Sequence, residues 1–218
     1  MPNIELTNIN KSYIESGSDN GIVLNNINLL IKDKEFLGIL GPSGCGKTTL
    51  LKVIAGLIFV DSGEVFQDRE SLEGIPVESR NFAMVSQQPL LFPNMNLLDN
   101  VAFGLKMKGI GKSKRYERAV KMLNILKLDG LEKRYPSQLS GGQCQRGAIA
   151  RALVTKPSVL LMDEPFSALN EELRLELRNF LKDLHKESGL TTILVTHDRE
   201  EAEFLSDRII TMNNGCIL

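Results

Sequence analysis

Several short stretches of this 218-residue chain carry side chains of the types and spacings that handle a phosphoanhydride. Gly41-Pro42-Ser43-Gly44-Cys45-Gly46-Lys47-Thr48 is a G-x-x-x-x-G-K-[ST] loop, followed by Thr49. Its glycines allow successive backbone N–H groups to turn inward and form a nest for phosphate oxygens at a helix N-terminus. Lys47 adds a point charge for the β- and γ-phosphates, and the Thr48 hydroxyl is suited to ligate Mg²⁺. Asp163 and Glu164 close the apolar run Val159 to Met162. Asp163 can hold Mg²⁺ through its water shell while Glu164, one residue farther out, polarises an attacking water. The alternative is two acids capping the next helix. Gln87 follows the run Asn81 to Ser86, and His197 follows Thr191 to Thr196. His197 is placed to hydrogen-bond a γ-phosphate and hold Glu164 and the water in register.

Two further features admit two readings each. Leu139-Ser140-Gly141-Gly142-Gln143 puts a serine and two glycines ahead of a helix, a second anion nest without a lysine. It is either an N-cap or a site that acts on a nucleotide held elsewhere. Tyr13, in Lys11-Ser12-Tyr13 before the loop, is either a face for an adenine ring or a strand-edge tyrosine.

The elements that must position these residues follow from periodicity. The chain to about residue 40 reads as strands in an antiparallel lobe, with alternation at Ile4 to Thr7 and Val23 to Ile31 and a turn over Glu15 to Gly21. Phe36 to Leu40, the phosphate loop and a helix ending near Gly56 make a strand–loop–helix unit. A turn at Asp61-Ser62-Gly63 leads to a short strand, Gly63 to Phe66, and Asn81 to Ser86 reads as a further buried strand. Polar residues at the carboxyl ends of parallel strands line the ligand crevice of open α/β sheets, so Gln87 faces the ligand if its strand runs parallel to the first. From about 94 to 138 the pattern is helical, with Tyr116, Ala119, Val120, Leu123 and Leu126 on one face and Gly130 as a stop. A helix then runs from Gln145 to Val154, and Asn170 begins a long amphipathic one carrying Leu173, Leu177, Phe180, Leu181 and Leu184 to Gly189.

Bulk properties restrict the partners. With 26 basic and 27 acidic residues the formal net charge is −1, which leaves no footprint for nucleic acid or an anionic membrane face. Three cysteines at unrelated spacings fit neither a disulfide framework nor a zinc site and suit a reducing compartment. No run approaches the roughly 18 apolar residues of a membrane span, and no signal peptide is evident. A membrane role therefore needs a partner.

On these residues the chain resembles the ATP-binding cassette (ABC) ATPases over essentially its whole length. Tyr13 matches the aromatic before the loop, Gly41 to Thr48 Walker A, Gln87 the Q-loop glutamine, and Leu139 to Gln143 the signature L-S-G-G-Q; Asp163 and Glu164 match Walker B with its glutamate, and His197 the switch histidine. The resemblance implies an α/β fold: a P-loop NTPase with a RecA-like, mainly parallel core sheet, an N-terminal antiparallel β lobe and an inserted α-helical subdomain. It implies a single domain over 1–218, with the nucleotide-binding lobe at 1–90 and 155–218 and the helical signature subdomain at 91–154. ATP and Mg²⁺ are the implied cofactors, with Thr48, Gln87 and Asp163 around the metal and Glu164, His197 and Gln87 catalytic. Two copies, or one with a paired subunit, sandwich two ATP molecules head to tail, each between Walker A of one chain and Ser140, Gly141, Gly142 and Gln143 of the other.

Leu90-Leu91-Phe92-Pro93 and Asn100 to Leu105 are similar to the ATPase subunits of bacterial importers for sugars, polyamines, sulfate, molybdate or iron. In those a cleft beside the Q-loop receives a coupling helix from a separate permease at the cytoplasmic face of the membrane, and an extracytoplasmic binding protein delivers substrate. Leu91 and Phe92 can equally be packing residues. An exporter or lipid-handling subunit is an alternative, as is a soluble remodelling ATPase, although the usual tandem cassette or long coiled-coil insertion is missing. Many of these relatives carry a C-terminal regulatory domain; the sequence to Leu218 is expected to lack it, with the natural end of the protein left open. Asn170 stands where the family usually has the aspartate of S-A-L-D, which is expected to weaken a contact across the dimer. Cys144 and Gly147 also depart from the usual residues, and Gly147 is expected to lower helix stability by about 1 kcal/mol relative to alanine.

Overall fold

The computed structural model describes residues 3–13 and 21–218. The turn expected over Glu15 to Gly21 therefore lies outside the described residues except for Gly21. The chain divides into two compact units, one of residues 1–82, 158–164 and 180–218, the other of 83–157 and 165–179.

In the first unit, β1 (Ile4–Tyr13) and β2 (Gly21–Ile31) pair antiparallel, Ile4 opposite Ile31 and Leu6 opposite Leu29. The alternation in their sequences buries Ile4, Leu6, Ile9, Ile27, Leu29 and Ile31 on one face. β3 (Phe36–Leu40) leads to α1 (Lys47–Ala55), and β4 (Ser62–Gln67) and β5 (Glu70–Ser71) extend the first sheet to the order β2-β1-β4-β5. The chain leaves this unit along β6 (Phe82–Val85). Only Val85 of that strand is buried, so the expected buried strand is a half-covered one.

Chain order then passes through α2 (Leu97–Met107), α3 (Lys112–Ile125) and α4 (Gly141–Leu153) of the second unit before returning as β7 (Val159–Asp163). After α5 (Glu171–Ser188) come β8 (Thr191–Thr196), α6 (Arg199–Leu205), β9 (Arg208–Asn213) and β10 (Cys216–Ile217). Within the first unit the second sheet runs β10-β9-β3-β8-β7. β7 and β8 are buried along their whole lengths, which is why their sequences are continuous apolar or β-branched runs. β3 is parallel to β8 and β9, and β7 is parallel to β8, with Leu40 opposite Thr196 and Asp163 opposite Val195. Three carboxyl ends therefore finish level, and the residues after them emerge at one edge.

The second unit packs α2, α3 and α4 through Val101, Leu105, Ala119, Leu123, Ile149 and Leu153. α3 stops at Ile125, not at Gly130: Lys127 takes a positive φ of 53°, and Leu128 N–H closes back on the Leu123 carbonyl at 2.9 Å. A lysine here fills the left-handed position that the sequence reading assigned to a later glycine. α4 begins at Gly141, four residues before Gln145, because Ser140 caps it. The boundaries of the two compact units fall at 82/83 and 157/158, and 165–179 belongs with the helices. The Arg151 guanidinium donates to the Leu90 carbonyl at 2.7 Å, Gln145 Nε2 to that of Ser86 at 3.3 Å, and Leu169 lies against Gly142. Residues 86–90 and 168–169 are thus fastened to α4. Among the described residues no helix is long and apolar enough to cross a membrane.

Candidate functional site

The phosphate loop joins the end of β3 to the start of α1. Gly46 is the N-cap of α1, at φ 104°, and no side chain caps the helix. The packing behind the loop leaves no room for larger residues: a Cβ on Gly41 would lie 2.3 Å from the Met212 carbonyl oxygen, and one on Gly46 2.5 Å from that of Val23. A Cβ on Gly44 would meet nothing within 4 Å, so the loop is open on that side. Lys47, 5 % exposed, donates to the Gly41 and Pro42 carbonyls at 2.8 Å each, which fixes its ammonium over the loop. Pro42, Ser43 and Gly44 are exposed and Cys45 is buried.

Asp163, at the end of β7, reaches the same place. Thr48 Oγ1 donates to Asp163 Oδ1 at 3.1 Å. Burial raises the Asp163 pKa above the ordinary 3.8, the neighbouring Glu164 charge adds to this, and the Thr48 hydrogen bond opposes it. A carboxylate deprived of water beside a threonine hydroxyl is a site that gains from a cation. No group of three or more His, Cys, Asp or Glu able to hold a metal occurs among the described residues. A cation here would take its remaining ligands from hydroxyl, phosphate and water oxygens, which matches the coordination habits of Mg²⁺.

Glu164 has φ 45°, and its N–H bonds the Val195 carbonyl at 2.9 Å. That left-handed turn is a strained conformation for a glutamate, held in place by the neighbouring strand. Its carboxylate lies 3.1 Å from His197 Nδ1. A carboxylate accepts only, so Nδ1 carries the hydrogen and Nε2 is left for another partner. His197 is 63 % exposed at its side chain and Glu164 16 %. The backbone beneath His197 is pinned on both sides: Thr196 Oγ1 donates to Glu201 Oε2 at 2.7 Å and accepts from Asp198 N–H at 3.0 Å, and Asp198 caps α6. Glu201 and Asp198 escaped the sequence reading, although D-x-x-E ahead of a helix is a capping-box pattern.

Tyr13 ends β1 in the same unit, 45 % exposed. Lys47, Thr48, Asp163, Glu164 and His197 are thus gathered on one unit's strand ends. Thr49 follows on α1, half-buried.

Gln87 and Leu139 to Gln143 belong to the second unit. Gln145, fully buried, bonds the Ser86 carbonyl next to Gln87 and was not singled out from sequence. Ser140 and Gln143 form a reciprocal box: Gln143 N–H donates to Ser140 Oγ at 3.2 Å, and Ser140 N–H to Gln143 Oε1 at 2.9 Å. The N-cap reading of Ser140 therefore holds in the isolated chain. Asn170 Oδ1 accepts from Leu173 N–H at 3.0 Å, a cap that survives the loss of the aspartate charge. Leu91 is buried, whereas Phe92 keeps 38 % exposure against Phe103, with Arg151 5.3 Å above its ring. Asn100, fully buried, holds this turn by bonding Phe92, Met95 and Asn96.

The sulfate/thiosulfate import ATP-binding protein CysA of Pseudomonas putida is 49 % identical over 218 residues, covering 98 % of this chain and 65 % of the relative. The spermidine/putrescine import ATP-binding protein PotA of Haemophilus influenzae is 47 % identical over 216 residues, 99 % of this chain and 57 % of the relative. The chain thus spans between half and two thirds of the length of such relatives. Among solved structures, the dimeric post-hydrolysis state of the ATP-binding cassette MJ0796 bound to ADP and Pi superimposes with a TM-score of 0.92 at 36 % identity, covering 98 % of this chain and 96 % of that one. Residues 24–167 match the ABC transporter family, to which this chain belongs.

Proposed function

We propose that this chain is the ATP-hydrolysing part of an ABC importer, and that Glu164 and His197 carry the hydrolysis. The observation that supports it best is the 3.1 Å contact between these two side chains, beside the Lys47 loop and the Thr48–Asp163 pair. Lys47 and the loop amides bind the β- and γ-phosphates, and Tyr13 offers a face to the adenine ring. Thr48 and Asp163, with Gln87, hold Mg²⁺, whose chemistry is to neutralise charge that develops on the phosphate oxygens. Glu164 orients and polarises the attacking water, and His197 holds Glu164 and the γ-phosphate in register.

Ser140, Gly141, Gly142 and Gln143 act on the nucleotide of a second copy or paired subunit, in a head-to-tail dimer closed by ATP. The dimeric MJ0796 cassette, which resembles this chain over nearly its whole length, supports that assembly. A separate permease, engaged near Gln87 and Phe92, would hold the dimer at the cytoplasmic face of the membrane. Dimer closure drives the permease outward and hydrolysis resets it, with an extracytoplasmic binding protein delivering substrate. Relatives named for an anion and for a polycation are 49 % and 47 % identical to this chain, so substrate choice belongs to the partner chains.

Glu164→Gln tests this directly. Turnover should fall by roughly 10²–10⁴-fold with ATP binding kept, and an ATP-dependent dimer should accumulate in light scattering. A variant with normal turnover would remove Glu164 from its role.

A further inference from the structure

We infer that Asp61 is a positioning residue for the nucleotide base: it sets the end of β1 so that Tyr13 is presented to the adenine. The inference rests on the adenine reading of Tyr13 and adds the residue that makes it work.

The last part of β1 keeps partners in β2, through an irregular register, but lacks support on its β4 side. Its ladder with β4 ends at Asn10 opposite Ser62, after a register shift beyond Thr7, and its ladder with β2 shifts again between Ile9 and Lys11 and between Lys11 and Ser12. Lys11, Ser12 and Tyr13 therefore have no partner residues in β4. Asp61, the residue just before β4, supplies the missing bonds. Its N–H donates to the Asn10 carbonyl at 2.9 Å. Its carboxylate accepts from Ser12 N–H and Ser12 Oγ at 2.6 Å each and from Lys11 Nζ at 2.7 Å. The Lys11 ammonium so held lies 5.6 Å from the Tyr13 ring centroid, within cation–π range. Asp61 also sits at the exit of the phosphate-loop helix, five residues after its C-cap Gly56. One carboxylate thus ties the strand end that carries the aromatic to the segment that begins at the phosphate loop.

The Lys11 hydrogen bond first, and the Ser12 bonds after it, hold the Asp61 carboxyl at about 2, below the ordinary 3.8. It is an anion at any pH where the protein would work, so the tie is permanent and does not switch. Loss of the tie should free Tyr13 to sample other orientations, and only ligands with a base should notice.

The test compares ATP with inorganic tripolyphosphate, which fills the phosphate loop but has no base, in wild type, Asp61→Ala, Tyr13→Ala and the double variant. Asp61→Ala should weaken ATP about 5- to 10-fold, in line with the stacking it disorganises, and tripolyphosphate less than about 2-fold. Its KM for ATP should rise with kcat at saturation little changed. Asp61→Asn, which keeps an oxygen for Ser12 N–H, should restore most of the affinity and covers the case of an unstable alanine variant. In the Tyr13→Ala background Asp61→Ala should add nothing. Equal losses for the two ligands, or an undiminished effect without Tyr13, would overturn the inference while leaving the base-stacking reading intact. A Tyr13→Ala variant that binds ATP as tightly as wild type would instead defeat that reading, and the role of Asp61 with it.

Discussion

At the start of α1 no side chain caps the helix, and Gly46 itself occupies the N-cap at φ 104°. At the start of α4 Ser140 and Gln143 cap each other reciprocally, and Gly141 and Gly142 lie inside the helix. Both are glycine turns at helix N-termini, and sequence alone makes both into anion nests. The difference is in who claims the amides. In the α1 turn no side chain takes the helix-start N–H groups and Lys47 reaches the same place, so one chain supplies both the amides and the charge that the proposed phosphate site needs. The α4 turn satisfies two of its own amides through the Ser140–Gln143 box and carries no lysine, so on the proposed reading its service to a phosphate is completed by a Walker A loop from another chain.

The comparison breaks most visibly at Gly46. Alanine there must adopt a left-handed conformation, worth about 1–2 kcal/mol, and its methyl would meet the Val23 carbonyl oxygen at 2.5 Å. Gly46→Ala should lose at least about 2 kcal/mol of stability and its ATP affinity together, measured by chemical denaturation and nucleotide titration. Retention of both would mean that the loop is far more plastic than its packing indicates.

Ser140→Ala comes next. Removing the cap should cost about 1 kcal/mol and leave ATP binding by the single chain unchanged, while the ATP-dependent dimer weakens. Ser140→Thr keeps a hydroxyl for Gln143 N–H and should recover the stability. If Ser140→Ala loses stability but assembles normally, its hydroxyl is a cap and nothing else.

These contrasts bear on what a sequence can disclose. Walker A, Asp163-Glu164 and His197 were legible because each sits at the end of a continuous apolar or β-branched strand, and parallel register brings strand ends together without further information. The ties that hold these groups were not legible. Asp61 meets Ser12 across a separation of 49 residues, and Gln145 meets Ser86 across 59. No periodicity records such pairs. Gly147 is the clearest case of misdirection. Propensity marks it as a defect in α4, yet a Cβ there would come within 2.7 Å of Leu97 Cδ1 and 3.4 Å of Leu91 Cδ1, both buried residues. The glycine lets α4 lie close against those leucines. Gly147→Ala gains about 1 kcal/mol of helix propensity and meets an overpacking cost of about 1–3 kcal/mol. The net result should be a loss of up to about 2 kcal/mol, read as a lower denaturation midpoint. A rise in the midpoint would return Gly147 to being a simple defect.

The smallest expected effect on the fold gives the sharpest separation between the two turns. A Cβ on Gly141 would meet nothing within 4 Å, and one on Gly142 would only touch Leu169 Cδ2 at 3.2 Å and the Ala168 carbonyl oxygen at 3.4 Å. Nothing in this chain resists a methyl at 141, and alanine is the better helix former, so Gly141→Ala should hold or slightly raise stability, by no more than about 1 kcal/mol. If the turn is merely the start of a helix, turnover should follow stability and stay as it was. If its amides close over a nucleotide held by another copy, the methyl occupies space that the other chain's phosphates need, and turnover and ATP-dependent assembly should both drop while single-chain ATP binding persists. Because the isolated chain has room for that methyl, a loss of turnover in a variant as stable as wild type has to originate in contacts with a second molecule.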